Sequence, residues 1–228
     1  MTARRVFAIC ALVVIGIVTL YAWVYPSGTL RYEMVVEADG EVYRGASVLE
    51  ARYKHQFPIG DVSFSSNGRG EAVVVDIGDR GTLFVLVTGS YGCPGTEAYS
   101  SRPDSQGIPV LVFDLRVDLE DTLRRLRYFE GFAEVPLNRM PLMVRFDDIT
   151  DPLTVSQVDP CDLAASFGDD VSLSRVTIEA TDAPVTTGIE ARLPWFELLK
   201  NLYLDGSKGR NSNEFPNSIH GGNFKRGV

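Results

Sequence analysis

The chain has 228 residues, of which 45% are hydrophobic and 23% are charged, and its formal net charge is −8. This length provides for one medium domain or two small ones. An acidic surface repels phosphate backbones and anionic headgroups, so we expect no nucleic-acid partner. The phosphate-cradling patterns Gly-x-x-x-x-Gly-Lys and Gly-x-Gly-x-x-Gly do not follow any predicted strand. The sequence therefore predicts no nucleotide-dependent enzyme and no cofactor.

The N-terminal segment contains a long uncharged run. Residues 6–25 carry no charge and follow the basic pair Arg4 and Arg5. At about 1.5 Å per residue, a helix of this length spans about 30 Å, the hydrocarbon thickness of a bilayer. A cleaved signal peptide has a shorter apolar region and a small-residue cleavage site, whereas this run ends in bulky side chains. We therefore predict that residues 1–27 form a short cytoplasmic stub and an uncleaved transmembrane anchor.

Charged and aromatic residues predict the orientation of this anchor. Basic residues that flank a membrane helix stay in the cytoplasm, so the rest of the chain is translocated. Tyrosine and tryptophan prefer the interface between membrane and water. The predicted membrane-interface residues are Arg4 and Arg5 on the cytoplasmic side and Tyr21, Trp23 and Tyr25 on the outer side.

Alternating apolar and polar residues predict a β-hairpin just after the anchor. Residues 30–37 alternate with the period of a half-buried strand. Asp39 and Gly40 then form a strong turn signal, because glycine accepts positive φ without strain. Residues 42–53 are the predicted returning strand.

Two further features of the strands follow from the apolar pattern. Residues 72–77 and 82–87 are apolar at consecutive positions, which predicts a pair of strands covered on both faces. Residues 171–180 form another strand, but its apolar positions change phase halfway. A β-bulge near Ser174 and Arg175 would explain that change, because a bulge inserts one extra residue into one strand.

Three segments have helical patterns. Residues 118–131 have one apolar face and a basic remainder. Residues 160–168 begin at a proline and end at a glycine, with Leu163 and Phe167 predicted to face inward. A third helix is predicted at residues 195–202, with an apolar side made of Trp195, Leu198, Leu199 and Leu202.

The predicted fold class is α+β, with one mainly antiparallel sheet and two or three helices. We place these elements in a single extracytoplasmic domain, residues 28–204. Residues 89–107 are rich in Gly, Ser and Pro and form a long surface loop. Residues 205–228 have few apolar side chains and no period, and we predict that they form a disordered tail.

Cysteine and histidine provide few candidates for chemistry. Cys10 lies in the anchor, while Cys93 and Cys161 could form a disulfide in an oxidising compartment, provided that their Cα atoms approach closely enough. A Ser-His-Asp triad could use only His55, and no Gly-x-Ser-x-Gly elbow accompanies it. His220 lies in the predicted tail. The sequence therefore predicts no catalytic residue.

The segment 147–182 is strongly acidic. Converging carboxylates bind hard cations such as calcium, and Asp147, Asp148 and Asp151 are the candidates for such a site. Their spacing matches no EF-hand, however. Aspartates in turns and at helix starts explain the same residues without a metal, and we favour that interpretation.

Three stretches carry a resemblance to a known family. They are Gly-Ala-Ser-Val-Leu-Glu at 45–50, Gly-Glu-Ala-Val-Val-Val-Asp-Ile-Gly at 70–78, and a block at 146–195 that includes Pro-Val-Thr-Thr-Gly-Ile-Glu at 184–190. Together they resemble an uncharacterised family of N-terminally membrane-anchored proteobacterial proteins with no assigned activity. Where that family tends to carry an acidic residue, this chain has Cys161. The resemblance implies a bacterial inner-membrane location, with the N-terminus cytoplasmic and the main domain periplasmic.

These observations favour a non-enzymatic, single-pass envelope protein whose outer domain binds another protein or envelope component. The alternative is an extracytoplasmic enzyme, or a binder that depends on a divalent cation, with the acidic segment 147–182 as its site. The sequence predicts no particular small-molecule ligand.

Overall fold

Antiparallel β-strands are the main regular elements in a computed structural model of the chain, which describes residues 7, 9–16, 27–39, 42–55, 64–90, 93 and 130–227. The strands are β1 (Ser27–Ala38), β2 (Tyr43–His55), β3 (Phe64–Glu71), β4 (Val73–Asp76), β5 (Thr82–Ser90), β6 (Phe132–Glu134), β7 (Pro141–Phe146), β8 (Val155–Val158), β9 (Leu173–Ala180) and β10 (Lys225–Arg226). Short helices cover Ala164–Phe167 and Phe196–Leu199, and single 3-10 turns lie at Gly78–Arg80, Leu137–Arg139, Pro152–Thr154, Ile189–Ala191, Phe215–Ser218 and Gly221–Asn223.

The strands form two sheets. The first sheet has the order β10-β3-β2-β1-β9-β6, and the second has the order β4-β5-β7-β8. Neighbouring strands are antiparallel in both sheets. The α+β class with mainly antiparallel strands is confirmed. The expected single sheet is wrong, because the chain leaves the first sheet at Ala72 and starts the second at Val73.

Two hydrophobic cores separate three layers: the first sheet, the second sheet, and the C-terminal segment that covers the far side of the second sheet. One core lies between the sheets and includes Leu49 and Val176 from the first sheet and Leu83 from the second. The other core covers the far side of the second sheet, where Phe84 packs with Phe224. The second sheet is therefore apolar on both faces, as the consecutive apolar residues of β4 and β5 predict.

The first hairpin and the bulge are confirmed. Ala38 pairs with Tyr43 across the turn, so the loop between β1 and β2 has the four residues 39–42. In the pairing of β1 with β9, Glu37 lies opposite Arg175 and Ala38 opposite Leu173, which leaves Ser174 as the extra residue. The change of phase in β9 is therefore the predicted β-bulge.

The predicted disordered tail is corrected by the structure. Residues 205–227 are ordered, and Ile219 and Phe224 are buried in the second core. Asn217 is fully buried and organises the loop before it: its Oδ1 accepts from the backbone N–H groups of Asn211 and Ser212 at 2.7 and 2.8 Å. A low apolar content does not prevent order here. A few apolar side chains reach the core, and the buried amide of Asn217 forms hydrogen bonds with backbone groups of the loop.

The two short helices agree only partly with the helical patterns. Leu163 and Phe167 are buried, as the pattern predicts. The third predicted helix is shorter than expected, Phe196–Leu199, and Leu198 is 79% exposed rather than on the apolar side. A single turn buries only part of its circumference, so the spacing of leucines does not fix the buried side.

Several predictions fall on parts of the chain outside the described residues. Residues 9–16 are helical, but Arg4, Arg5, Tyr21, Trp23 and Tyr25 lie outside the described ranges. Among the described residues, no helix has both the length and the hydropathy for a membrane span. The predicted helix at 118–131 lies outside them except at its end, as does the loop at 89–107 apart from the end of β5 and Cys93.

Candidate functional site

The outer face of the first sheet carries acidic and basic side chains that the strand pairing brings together. Leu30, Leu49 and Ala51 point into the core between the sheets, so the residues that alternate with them point outward. Arg31 of β1 lies opposite Glu50 of β2. We call this surface the charged face; its charged members are Arg31, Glu33, Glu37, Arg44, Glu50, Arg52, Arg69, Glu134, Arg175 and Glu179.

Three arginines surround Glu50 on the charged face. Arg31 Nε donates to Glu50 Oε2 at 2.8 Å, and Arg52 Nε donates to Glu50 Oε1 at 2.6 Å. Arg69 of β3 lies opposite Glu50 in the register, with its Nη1 3.7 Å from Oε1. We call these four residues the Glu50 cluster. The two strands that pair with β2 contribute one arginine each, Arg31 from β1 and Arg69 from β3, because antiparallel pairing places opposed residues on the same face. Arg52 comes from β2 itself, two residues after Glu50.

The carboxylate at the centre of the cluster is buried, and the arginines around it are not. The Glu50 side chain is 1% exposed, while those of Arg31, Arg52 and Arg69 are 42%, 44% and 39% exposed. Burial raises the pKa of Glu50, but the hydrogen bonds and charges of Arg31 and Arg52 outweigh it and hold the pKa below its ordinary value. Glu50 is therefore an ionised carboxylate that holds the guanidinium groups of Arg31 and Arg52 in place through hydrogen bonds.

The Glu50 cluster has more positive charge than its carboxylate requires. One arginine would neutralise Glu50, so three leave an excess of two positive charges at the surface. Each guanidinium has five N–H donors. Within the described residues, hydrogen bonds occupy two donors of Arg31 and one each of Arg52 and Arg69. The remaining donors can bind an anion.

A second group of charged residues, centred on Glu37, lies at the other end of the charged face. Glu37 is buried and lies opposite Arg44 on one side and Arg175 on the other. The Nε atoms of the two arginines are 3.7 Å and 2.5 Å from the Glu37 carboxylate. Here two arginines share one carboxylate, so the excess charge is smaller than at the Glu50 cluster.

A third buried carboxylate holds the chain together rather than facing solvent. Glu71 accepts hydrogen bonds from the backbone N–H groups of Gly188 and Ile189 at 2.9 and 2.8 Å. Lys225 Nζ lies 2.8 Å from the same carboxylate and also pairs with Glu190. These contacts join the segment 184–190 to the end of β3 and to the C-terminal strand. Their role is structural.

The structure joins Cys93 and Cys161 in a disulfide, with a Cα–Cα distance of 5.5 Å. A carboxylate oxygen of Asp159 lies near the two sulfur atoms, so that the three residues offer ligand atoms within 4.8 Å of one another. Sulfur in a disulfide is not a thiolate, however, and thiolates are the cysteine form that binds metal. As it stands, this group is a covalent cross-link. Cys10 is a free, exposed thiol.

The three weak metal candidates serve their own turns. Asp148 Oδ1 accepts from the backbone N–H and the hydroxyl of Thr150, which lowers the pKa of Asp148. Asp151 caps the 3-10 turn Pro152–Thr154 by accepting from Leu153 N at 2.9 Å. Asp147 pairs with Arg145 at 3.0 Å. Within the described ranges these carboxylates do not converge on one point.

The two histidines lie in different parts of the fold. His55 is the last residue of β2. His220 is held in place, contrary to its prediction as part of a loose tail. Its Nδ1 accepts from Gly222 N at 3.0 Å, and its ring packs edge-on against Tyr203. In this position the imidazole caps the 3-10 turn Gly221–Asn223.

Sequence reasoning missed the Glu50 cluster. The signal available was the alternation of charges, Arg31-x-Glu33 in β1 and Glu50-x-Arg52 in β2. Comparison with known proteins adds no further residues: no protein-family model, curated protein or solved structure matches the chain. The resemblance to a membrane-anchored proteobacterial family therefore stays a prediction.

Proposed function

We propose that this chain is a non-enzymatic binding protein of the bacterial envelope, anchored in the inner membrane by its N-terminal segment. In this proposal the main domain lies in the periplasm and binds another protein or envelope component through the charged face. The observation that carries the binding function is the Glu50 cluster, a half-exposed group of arginines held in place by a buried carboxylate.

Two features support the proposed location. The uncharged run at 6–25 after Arg4 and Arg5 is typical of a single-pass anchor with a cytoplasmic N-terminus. The disulfide between Cys93 and Cys161 suits an oxidising compartment, because the cytosol keeps thiols reduced. A C-terminal fusion to a reporter enzyme that is active only in the periplasm tests this orientation. Activity of a cytoplasmic reporter at the same position would contradict it.

The fixed positions of Arg31 and Arg52 support binding. Arg31 and Arg52 donate to opposite oxygens of the same carboxylate, so neither guanidinium can move without breaking a charge-assisted hydrogen bond. Fixed donors lose little entropy when a partner binds.

Crosslinking of the tagged full-length protein in its native membrane tests the binding function. We expect one reproducible partner, which the variant Arg52→Gln loses or binds several-fold less. The matched control is Arg192→Gln, which removes the same charge from an exposed side chain next to the 3-10 turn Ile189–Ala191. If the wild type captures no partner, or both variants capture it equally, the charged face is not the binding surface.

A further inference from the structure

We infer that the Glu50 cluster is a binding site for a phosphate monoester, either free or in a lipid headgroup. This inference rests on the proposed function, because it names the ligand chemistry of the same face. It starts from the geometry of one group: three guanidinium groups lie within 3.7 Å of the Glu50 carboxylate.

The excess charge of the cluster selects the class of anion. Three arginines and one carboxylate have a net charge of two positive units. A phosphate monoester carries about 1.5 to 2 negative charges at neutral pH and has three strong acceptor oxygens. A single carboxylate has only one negative charge. The phosphate monoester therefore matches both the charge and the number of donors.

Arginine is the side chain suited to this role. Its planar fork of N–H donors matches the oxygens of a phosphate in a two-bond contact. Arg52 donates to Glu50 through its Nε, and its two terminal amino groups are the donors that we assign to the ligand. Arg69 is braced by a hydrogen bond from its Nε to the backbone oxygen of Gly227 at 2.9 Å.

The acidity of the whole chain does not oppose this local site. Its net charge is −8, but charges farther than about 8 to 10 Å apart are largely screened at physiological salt. An anion at the cluster experiences mainly the three arginines and Glu50, with Glu33, two residues from Arg31 on the same face of β1, offsetting part of the positive charge. Because binding is electrostatic, it weakens as salt concentration rises.

Titration calorimetry of the full-length protein in a neutral detergent tests the inference. The probes are inorganic phosphate, glycerol phosphate and a short-chain phosphatidic acid, with a short-chain phosphatidylcholine as the neutral-headgroup control. We expect saturable binding that Arg52→Gln weakens about tenfold, the effect of one lost charge-assisted hydrogen bond. Arg192→Gln should leave the affinity unchanged, and equal melting temperatures of the two variants show that both fold.

Each outcome of the titration decides the inference. Binding of phosphate and glycerol phosphate supports a soluble ligand, and binding of phosphatidic acid alone supports a lipid headgroup. No saturable binding below about 10 mM, weaker than any useful affinity, overturns the site. Equal loss in both variants overturns it too. If phosphate fails while Arg52→Gln still abolishes crosslinking, the binding function stands and only the ligand class is wrong.

Discussion

Lys225 Nζ lies 2.8 Å from Glu71 Oε1, and the two side chains are 11% and 3% exposed. The pair connects the C-terminal strand β10 to the end of β3, next to the point where the chain passes from the first sheet to the second. The same ammonium pairs with Glu190, so one lysine ties three segments together. The C-terminal segment is thus fixed by charge as well as by apolar packing.

We expect Lys225→Met to lower the free energy of unfolding by about 3 kcal/mol, because Glu71 would keep a buried charge without its counter-ion. Urea unfolding of the full-length protein, followed by tryptophan fluorescence, measures the change. Lys208→Met is the control: Lys208 is exposed, and its substitution should change the free energy by less than about 0.5 kcal/mol. Equal effects of the two variants would show that the buried pair contributes nothing.

The pH dependence of this pair has a definite sign. Burial lowers the pKa of Lys225, but its hydrogen bonds to Glu190 and Glu71 outweigh burial and raise the pKa above its ordinary value of 10.5. The stabilisation is therefore fully present below pH 10.5 and is lost as the pH rises through the folded-state pKa. The difference between wild type and Lys225→Met should shrink in that alkaline range.

A second prediction concerns Phe224, which is fully buried although it lies in a segment of tail-like composition. Its ring packs 5.5 Å from that of Trp195 and 5.9 Å from that of Phe84. We expect Phe224→Ala to destabilise the protein by about 3 to 5 kcal/mol. Phe132→Ala is the matched control, since Phe132 is 65% exposed and should cost less than about 1 kcal/mol. If thermal unfolding showed both variants equally stable, the tail would not be part of the core.

Local patterns predicted the strands well, because their causes are local. Alternation fixed the outward and inward sides of β1, and the change of phase located the bulge at Ser174. No local pattern in the sequence predicted that residues 205–227 adopt an ordered structure. This order depends on contacts far apart in sequence, such as the backbone hydrogen bond from Ala72 N to Phe224 O at 2.8 Å. The amino-acid composition of a segment does not predict contacts of this kind.

The Glu50 cluster could not be predicted from the sequence, because it depends on the length of the loop between β1 and β2. A two-residue turn at Asp39 and Gly40 would place Arg31 opposite Val48. The actual loop has four residues, and the register shifts so that Arg31 meets Glu50. Both registers keep the same side chains on the same face, so the hydrophobic pattern cannot distinguish them. The charge cluster exists only in the observed register.

A third prediction tests the close approach of the two sheets. A Cβ atom on Gly45 of β2 would overlap the backbone carbonyl oxygen of Val74 in β4. Because neither backbone can move without disturbing the core, we expect Gly45→Ala to destabilise the protein by about 2 kcal/mol. At Gly209 an added Cβ would meet no atom within 4 Å, and Gly209→Ala should be tolerated. Comparable melting temperatures of the two variants would contradict this packing.

A fourth prediction uses the pH dependence of the Glu50 cluster. Burial raises the pKa of Glu50, but hydrogen bonds from Arg31 and Arg52 lower it below its ordinary value of 4.5. A lowered folded-state pKa means that the stabilisation is present above pH 4.5 and is lost as the pH falls through the folded-state pKa. We expect Glu50→Gln to cost about 2 kcal/mol at neutral pH, because the arginines lose their counter-charge but still reach solvent.

Urea unfolding of wild type and Glu50→Gln from pH 7 down to the acid limit measures this difference. It should be constant at neutral pH and shrink below pH 4.5, since the wild-type carboxylate then becomes neutral like the amide. Glu197→Gln is the control: Glu197 is 62% exposed and pairs only with Lys200 in the described chain, so its loss should cost less than about 0.5 kcal/mol. A difference for Glu50→Gln that stays constant through the acid range would mean that the charge of Glu50 does not hold the arginines.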